Sequence, residues 1–255
     1  MQPPLLVTIT FSHYCEKARW TLDRAGITYR ESGHLPGFHM LAVRRAGGYR
    51  SVPSLITDEG AFNDSTDIAK WADRRAPSAH LYGKTDAERR EIETLEDRFD
   101  EDFGAHTRRW VYFHMLPDKN LVVRLSNQQA APALEKRMLP FCFPFIRPVM
   151  RKAMRITAAG AERSQRKIDV MFDEVGKMLA DGRPFLVGDT LTMADITFGS
   201  LAAVVLDPPE YGAPLGLIDA LPPEAASNMR RWQELPAAKF VARLFRDHRG
   251  APARA

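Results

Sequence analysis

A chain of 255 residues can form one large domain or two modest ones, and either buries a real core. Apolar content of 45% and charged content of 27% exclude a disordered or fibrous chain; two cysteines, Cys15 and Cys142, exclude a disulfide framework and suit a reducing compartment. The net charge of +4 comes with no aromatic-interleaved basic strand and no zinc-ligand spacing, so neither nucleic acid nor metal is an expected partner.

The opening MQPPLLVTITF carries prolines where a signal sequence would carry its basic residues. No run approaches the roughly 18 apolar residues of a spanning helix. A soluble, cytoplasmic protein is expected. LLVTITF reads as a strand, and residues 14–25 as a helix with Ala18, Leu22 and Ala25 on one face and Gly26 as its stop. ITYRES starts a second strand, and GHLPGFHMLAVRRAGGYR is too rich in breakers for a long element. SVPSLITDEGAFNDS is a hairpin turning at Asp58, Glu59 and Gly60. Ser65 opens a helix with Ile68, Ala69, Trp71 and Ala72 on its apolar face, ending before Pro77. This order predicts a small four-stranded sheet with helices on its faces.

From about Ala87 strand signals nearly vanish. ERREIETLEDRFDEDFG is a charged amphipathic helix, and residues 164–180 carry Ile168, Met171, Phe172, Val175, Met178 and Leu179 on one stripe. Further helices are predicted at 193–205 and 226–246. Trp110, Phe113 and His114 share a helix face and read as core. The expected division is a mixed domain at 1–77, a linker at 78–86 and an all-helical domain at 87–250. Pro140, Pro144 and Pro148 should break any helix in MLPFCFPFIRPVMRKAMRIT. That segment reads as a lid or pocket wall made apolar by Phe141, Phe143, Phe145 and Ile146, as a subunit contact, or as an irregular buried connection. Residues 136–167 hold nine basic side chains against Glu162 alone, which makes them either a solvated face or a contact for an acidic membrane face, a nucleic acid or an anionic substrate.

Three places carry chemistry. Ser12 and Cys15 stand three apart where a strand runs into a helix; a hydroxyl there either caps the helix or donates to an anion at its positive end. Val52 and Pro53 open a strand, and a cis bond there would turn the Val52 backbone toward an extended peptide. Asp64 and Ser65 start a helix and either cap it or hold the zwitterionic end of an amino acid.

These features, in this order, resemble the N-terminal domain of the glutathione S-transferase family over residues 5–76. FLVGDTLTMADITFGSLAA at 185–203 resembles that family's internal capping motif, with Thr192 and Asp195 forming a capping box. The resemblance implies a thioredoxin-like α/β N-terminal domain followed by an all-α domain. It implies glutathione as co-substrate, no metal, and a homodimeric detoxification enzyme attacking a small apolar electrophile. Ser12 would face the glutathione sulfur, Val52 would pair with its cysteinyl backbone beside a cis Pro53, and Asp64 and Ser65 would take the γ-glutamyl end. His39, Arg44 or Arg45 would meet the glycine carboxylate, with His39 carried as the candidate. Cys15 reads as a small packing residue. Asp64 is shorter than the Glu or Gln the family often has there. The alternative is a non-catalytic binding or membrane-surface protein on the same fold.

Overall fold

Leu6 and Val7 are buried at the centre of β1 (Leu5–Ile9), the strand around which the sheet assembles. The computed structural model describes residues 2–250. β1 pairs in parallel with β2 (Arg30–His34) and antiparallel with β3 (Ser54–Thr57), which pairs antiparallel with β4 (Gly60–Phe62). The sheet order is β2-β1-β3-β4. A parallel neighbour requires a crossover, and α1 (His13–Arg24) supplies it. Gly26, at φ 65°, ends that helix: its own N–H and that of Ile27 reach back to Asp23 O and Leu22 O. The second strand therefore begins at Arg30, later than ITYRES suggests. Within the breaker-rich stretch lies one short helix, α2 (His39–Arg45). α3 (Ser65–Arg75) buries Ile68, Ala69, Trp71 and Ala72, the predicted face.

The remainder is helical: α4 (Asp86–Phe99), α5 (Ala105–Met115), α6 (Lys119–Asn127), α7 (Ala133–Ala153), α8 (Ala158–Met178), α9 (Met193–Leu206), α10 (Leu217–Ala220), α11 (Pro223–Gln233) and α12 (Pro236–His248). A π-helical turn at 100–104 joins α4 to α5. Every residue of α9 is buried, and it packs against α1, α4, α5, α11 and α12. Asp195 fixes its start, accepting from the N–H groups of Leu186 (2.8 Å) and Thr192 (2.9 Å). Burial pushes that carboxyl up to about 6 against the pull of these donors.

Two sequence expectations fail. The stretch 226–246 is two helices, because Leu235 is extended before Pro236, whose missing N–H suits the first turn of α12. More consequentially, Pro140, Pro144 and Pro148 do not break the chain; α7 runs through all three. Their spacing of four explains why. The missing N–H of each proline would have met the carbonyl four residues earlier, so the unmade bonds fall on Lys136, Pro140 and Pro144, a single stripe. Pro144 is exposed and Lys136 and Pro140 are half-exposed, so the stripe that carries those carbonyls faces water.

α1 is buried on every side, charges included. Lys17 Nζ meets Glu96 (2.9 Å) and Asp100 (2.6 Å) from α4 and the π turn. Glu16 meets Arg19 (2.8 Å) and Arg249 (2.5 Å), and Arg19 also reaches Glu31 (2.8 Å). The helix that crosses over the sheet is thus clamped by the helical part of the chain.

Candidate functional site

Strand register gathers the predicted residues. Val7 stands opposite Ser54 in β3, so two more antiparallel steps bring Val52 across from Ile9, where β1 leaves the sheet toward Ser12. Leu55 opposite Phe62 likewise brings Pro53 beside Asp64. His34 is level with Ile9 on the parallel side, and His39 follows it. Ser12, Val52, Pro53, Asp64, Ser65 and His39 therefore all lie at one end of the sheet. The Val52–Pro53 peptide is cis. Asn63, which sequence reasoning missed, fixes the approach to it: its Oδ1 accepts from the Tyr49 N–H (3.0 Å) and the Ser54 hydroxyl (2.9 Å), while its carbonyl accepts from the Ser51 hydroxyl (3.0 Å).

Ser12 occupies the N-cap position of α1, yet its hydroxyl caps no helix N–H. It lies near the Cys15 thiol. Cys15 is fully buried, and burial pushes that thiol up to about 11, so it stays protonated at neutral pH. His13 Nε2 donates to Gly104 O (2.8 Å), since a carbonyl can only accept, and its Nδ1 accepts from the Tyr14 N–H (3.0 Å). Both ring nitrogens are thereby committed to the neutral form; burial, then the charge of Arg108, holds its pKa near 3. Tyr14 is pushed up to about 12, chiefly by burial, and its hydroxyl donates to Asp100 O (3.3 Å). No base at neutral pH therefore faces Ser12 from these neighbours.

Asp64 Oδ1 accepts from the Thr66 N–H (2.8 Å), so this exposed carboxylate, rather than the Ser65 hydroxyl, caps α3. Ser65 is buried. His39 is half-buried, and its Nδ1 accepts from the Gly37 N–H (3.2 Å). Burial, then His34, lowers its pKa, which leaves it neutral at pH 7 and able to offer an N–H but no charge. Arg44 and Arg45 are exposed at the end of α2.

Ser12 lies on the wall of a largely apolar pocket. Val111, Tyr112 and Met115 of α5, Val122 and Leu125 of α6, and Leu139, Phe143, Ile146 and Met150 of α7 form most of it. α7 is therefore the pocket wall that the sequence left among its alternatives, with Phe143 and Ile146 inward and Phe141 and Phe145 exposed. Trp110 packs against Trp232, ring centroids 4.7 Å apart, in the core as expected. Arg108 is the residue sequence reasoning overlooked. It lines the same pocket as Ser12, sits 5.7 Å over the Tyr14 ring, and its Nε is buried with no partner among the described residues. Its spacing from Val111, Tyr112 and Met115 puts it on their helix face, a signal readable once that face is known to line the pocket. Gly104 lets the tyrosine approach; a Cβ there would meet Tyr14 Oη at 2.4 Å.

A hydroxyl at a helix N-terminus with a guanidinium nearby, beside a cis-proline loop and an apolar pocket, suits an anion presented to an apolar partner. The same assignment emerges from sequence models. Residues 6–80 match the model described as glutathione S-transferase, N-terminal domain, and residues 158–233 the model described as glutathione S-transferase, C-terminal domain. The chain belongs to the glutathione S-transferase family.

Solved glutathione transferases share this fold. Glutathione transferase F2 from Populus trichocarpa is 14% identical, with 96% of this chain and 99% of that one covered and a TM-score of 0.56. A glutathione S-transferase from Methylobacterium radiotolerans, in complex with glutathione sulfonate, is 18% identical over 94% of this chain and 95% of that one, also with a TM-score of 0.56. A theta class glutathione S-transferase from Xanthomonas axonopodis pv. citri, with glutathione bound, is 18% identical over 94% and 96%, with a TM-score of 0.56. No curated protein matches the chain by sequence.

Proposed function

We propose that the protein is a glutathione transferase that holds the glutathione thiol as a thiolate beside Ser12 and directs it at a small apolar electrophile. The observation that carries this reading is the Ser12 hydroxyl: it stands at the N-terminus of α1, caps nothing, and opens on an apolar pocket that also contains Arg108. Val52 would pair with the cysteinyl backbone, Asp64 and Ser65 would hold the γ-glutamyl end, and the His39 N–H would meet the glycine carboxylate. The glutathione-binding part would span 1–77 and the pocket-lining helical part 87–250, with 78–86 between them. A homodimer in the cytoplasm and a detoxifying role complete the reading; both cysteines are free thiols, in keeping with a reducing compartment.

The energetics are within reach. Lowering a thiol from a pKa of about 8.5 to ~6.5 requires about 2.7 kcal/mol in favour of the thiolate. A hydrogen bond to a charged group contributes roughly 1.5–3 kcal/mol, and a helix N-terminus about 0.3–1 kcal/mol. With His13 neutral and fully bonded, the thiol proton leaves to water. The thiolate sulfur then forms a bond to the electrophilic carbon, and the leaving group departs with the electron pair of the bond that breaks.

Ser12→Ala should cut kcat/KM for conjugation of a generic aryl halide by about tenfold to a hundredfold and raise the pKa of the bound thiol, read from thiolate absorbance. Cys15→Ala should change neither. Absence of glutathione binding at millimolar concentration, or an unaltered Ser12→Ala enzyme, sinks this reading.

A further inference from the structure

α7 is apolar on two opposite faces. Leu139, Phe143, Ile146 and Met150 turn inward onto the pocket. Leu134, Met138, Phe141, Phe145 and Val149 face solvent, with Phe141 and Phe145 each 78% exposed. Successive members are three or four residues apart, the steps that keep side chains on one face of a helix. Single exposed apolar residues are ordinary; a row of five along about 22 Å of helix marks a contact surface.

One edge of this stripe is cationic. Arg137 lies one turn from Phe141, and Lys152 one turn from Val149; Arg151 and, just past the helix, Arg155 extend the edge. Arg137, Arg151, Lys152 and Arg155 are exposed, and none has a carboxylate partner among the described residues. The one acidic residue of α7, Glu135, is turned inward onto His34 Nδ1 (2.5 Å) and the Leu35 N–H (2.9 Å).

We infer that α7 seats the protein on an anionic phospholipid surface, its aromatic stripe entering the headgroup boundary and its basic edge meeting lipid phosphates. An apolar, aromatic face flanked by Lys and Arg is the composition that lies in such an interface. The helix lies on the bilayer and does not cross it: among the described residues, no helix is long and apolar enough to span a membrane. Charge decides the occupant. A second copy docked by two-fold symmetry would set this basic edge against itself with no acid between, whereas anionic headgroups complement it. So seated, α7 alone separates the lipid from the pocket, one helix diameter from the phase in which apolar compounds concentrate.

The test is co-sedimentation of the full-length protein with vesicles of phosphatidylcholine alone or with phosphatidylglycerol added. We expect about tenfold more bound protein on the anionic vesicles, falling as salt is raised. Phe141→Ser/Phe145→Ser and, separately, Arg151→Gln/Lys152→Gln/Arg155→Gln should each lower that binding about tenfold, with melting temperature and glutathione affinity unchanged. No preference for anionic vesicles, or undiminished binding by the phenylalanine variant, overturns the inference. So does wild-type indifference to vesicles together with a phenylalanine variant that halves the sedimenting mass, which would give the stripe to a second copy. Glutathione affinity is measured without lipid, so failure of this surface and failure of the enzymatic reading are distinguishable.

Discussion

Around Ser12 the decisive residue is one that its own sequence neighbourhood does not advertise. Ser12, Cys15, Val52 and Pro53 could be picked out because their spacing carries a recognisable local geometry. Arg108 lies 96 positions further on and joins Ser12 only where α5 brings it over Tyr14 in the first turn of α1. Its guanidinium supplies a full positive charge, where the hydroxyl supplies only a dipole. Arg108→Gln should raise the pKa of enzyme-bound glutathione by about 1 unit, equivalent to ~1.4 kcal/mol. Its kcat/KM should therefore fall roughly tenfold at slightly acidic pH and little at alkaline pH, where the thiol is already ionised. A uniform loss across pH would instead assign Arg108 to substrate binding. His13 allows a second test at this scale. Its folded pKa near 3 lies below its unfolded value of about 6.5, so between those limits the unfolded chain binds the extra proton. Stability from this group is complete above about pH 6.5 and lost as pH falls toward 3, by roughly 2.7 kcal/mol at pH 4.5. His13→Gln does not titrate there, so the stability gap between wild type and variant, measured by urea unfolding, should narrow by about that amount between pH 7 and 4.5. A constant gap contradicts the buried neutral ring.

At the level of elements, what the sequence revealed depended on whether local rules acted alone. The hairpin at 54–62, the α3 face and the Thr192–Asp195 start of α9 were legible because turn chemistry, periodicity and capping are properties of a few adjacent residues. α7 was misread because the proline rule treats each proline singly. Three prolines four apart leave their unmade hydrogen bonds on one wet stripe, and the inward face still buries Leu139 and Phe143. The exposed Pro144 still costs the helix something. Pro144→Ala restores the N–H that Pro140 O lacks and should stabilise the protein by about 1–3 kcal/mol. Melting temperature should then rise by several degrees, at about 2–4 °C per kcal/mol for a chain of this size. An unchanged or lower value would mean that α7 is not helical through 144.

For the whole molecule, the two parts are held together by charges that a sequence reading assigns to solvent. Glu16, Lys17 and Arg19 on α1 mix both signs as surface residues do, and nothing local says they are buried; the helical segments that cover them come from about 80 to more than 230 positions later. Burial alone would lower the pKa of Lys17, but Glu96 and Asp100 outweigh it, and the ammonium stays charged in the interior. Removing one member of such a cluster strands the others without water, which is costlier than replacing the whole cluster with apolar groups. Lys17→Met should therefore destabilise the fold by about 3–5 kcal/mol and lower the melting temperature by roughly 10 °C. Glu96→Gln keeps an oxygen to accept from the Tyr82 hydroxyl (2.8 Å) and turns an NH2 donor toward the Thr66 hydroxyl (2.9 Å), while shedding the charge that Lys17 neutralised. The Lys17→Met/Glu96→Gln double variant should accordingly be more stable than the sum of the single losses by at least about 1 kcal/mol. Strict additivity would mean that Lys17 acts by filling space rather than by neutralising the carboxylates between the two parts.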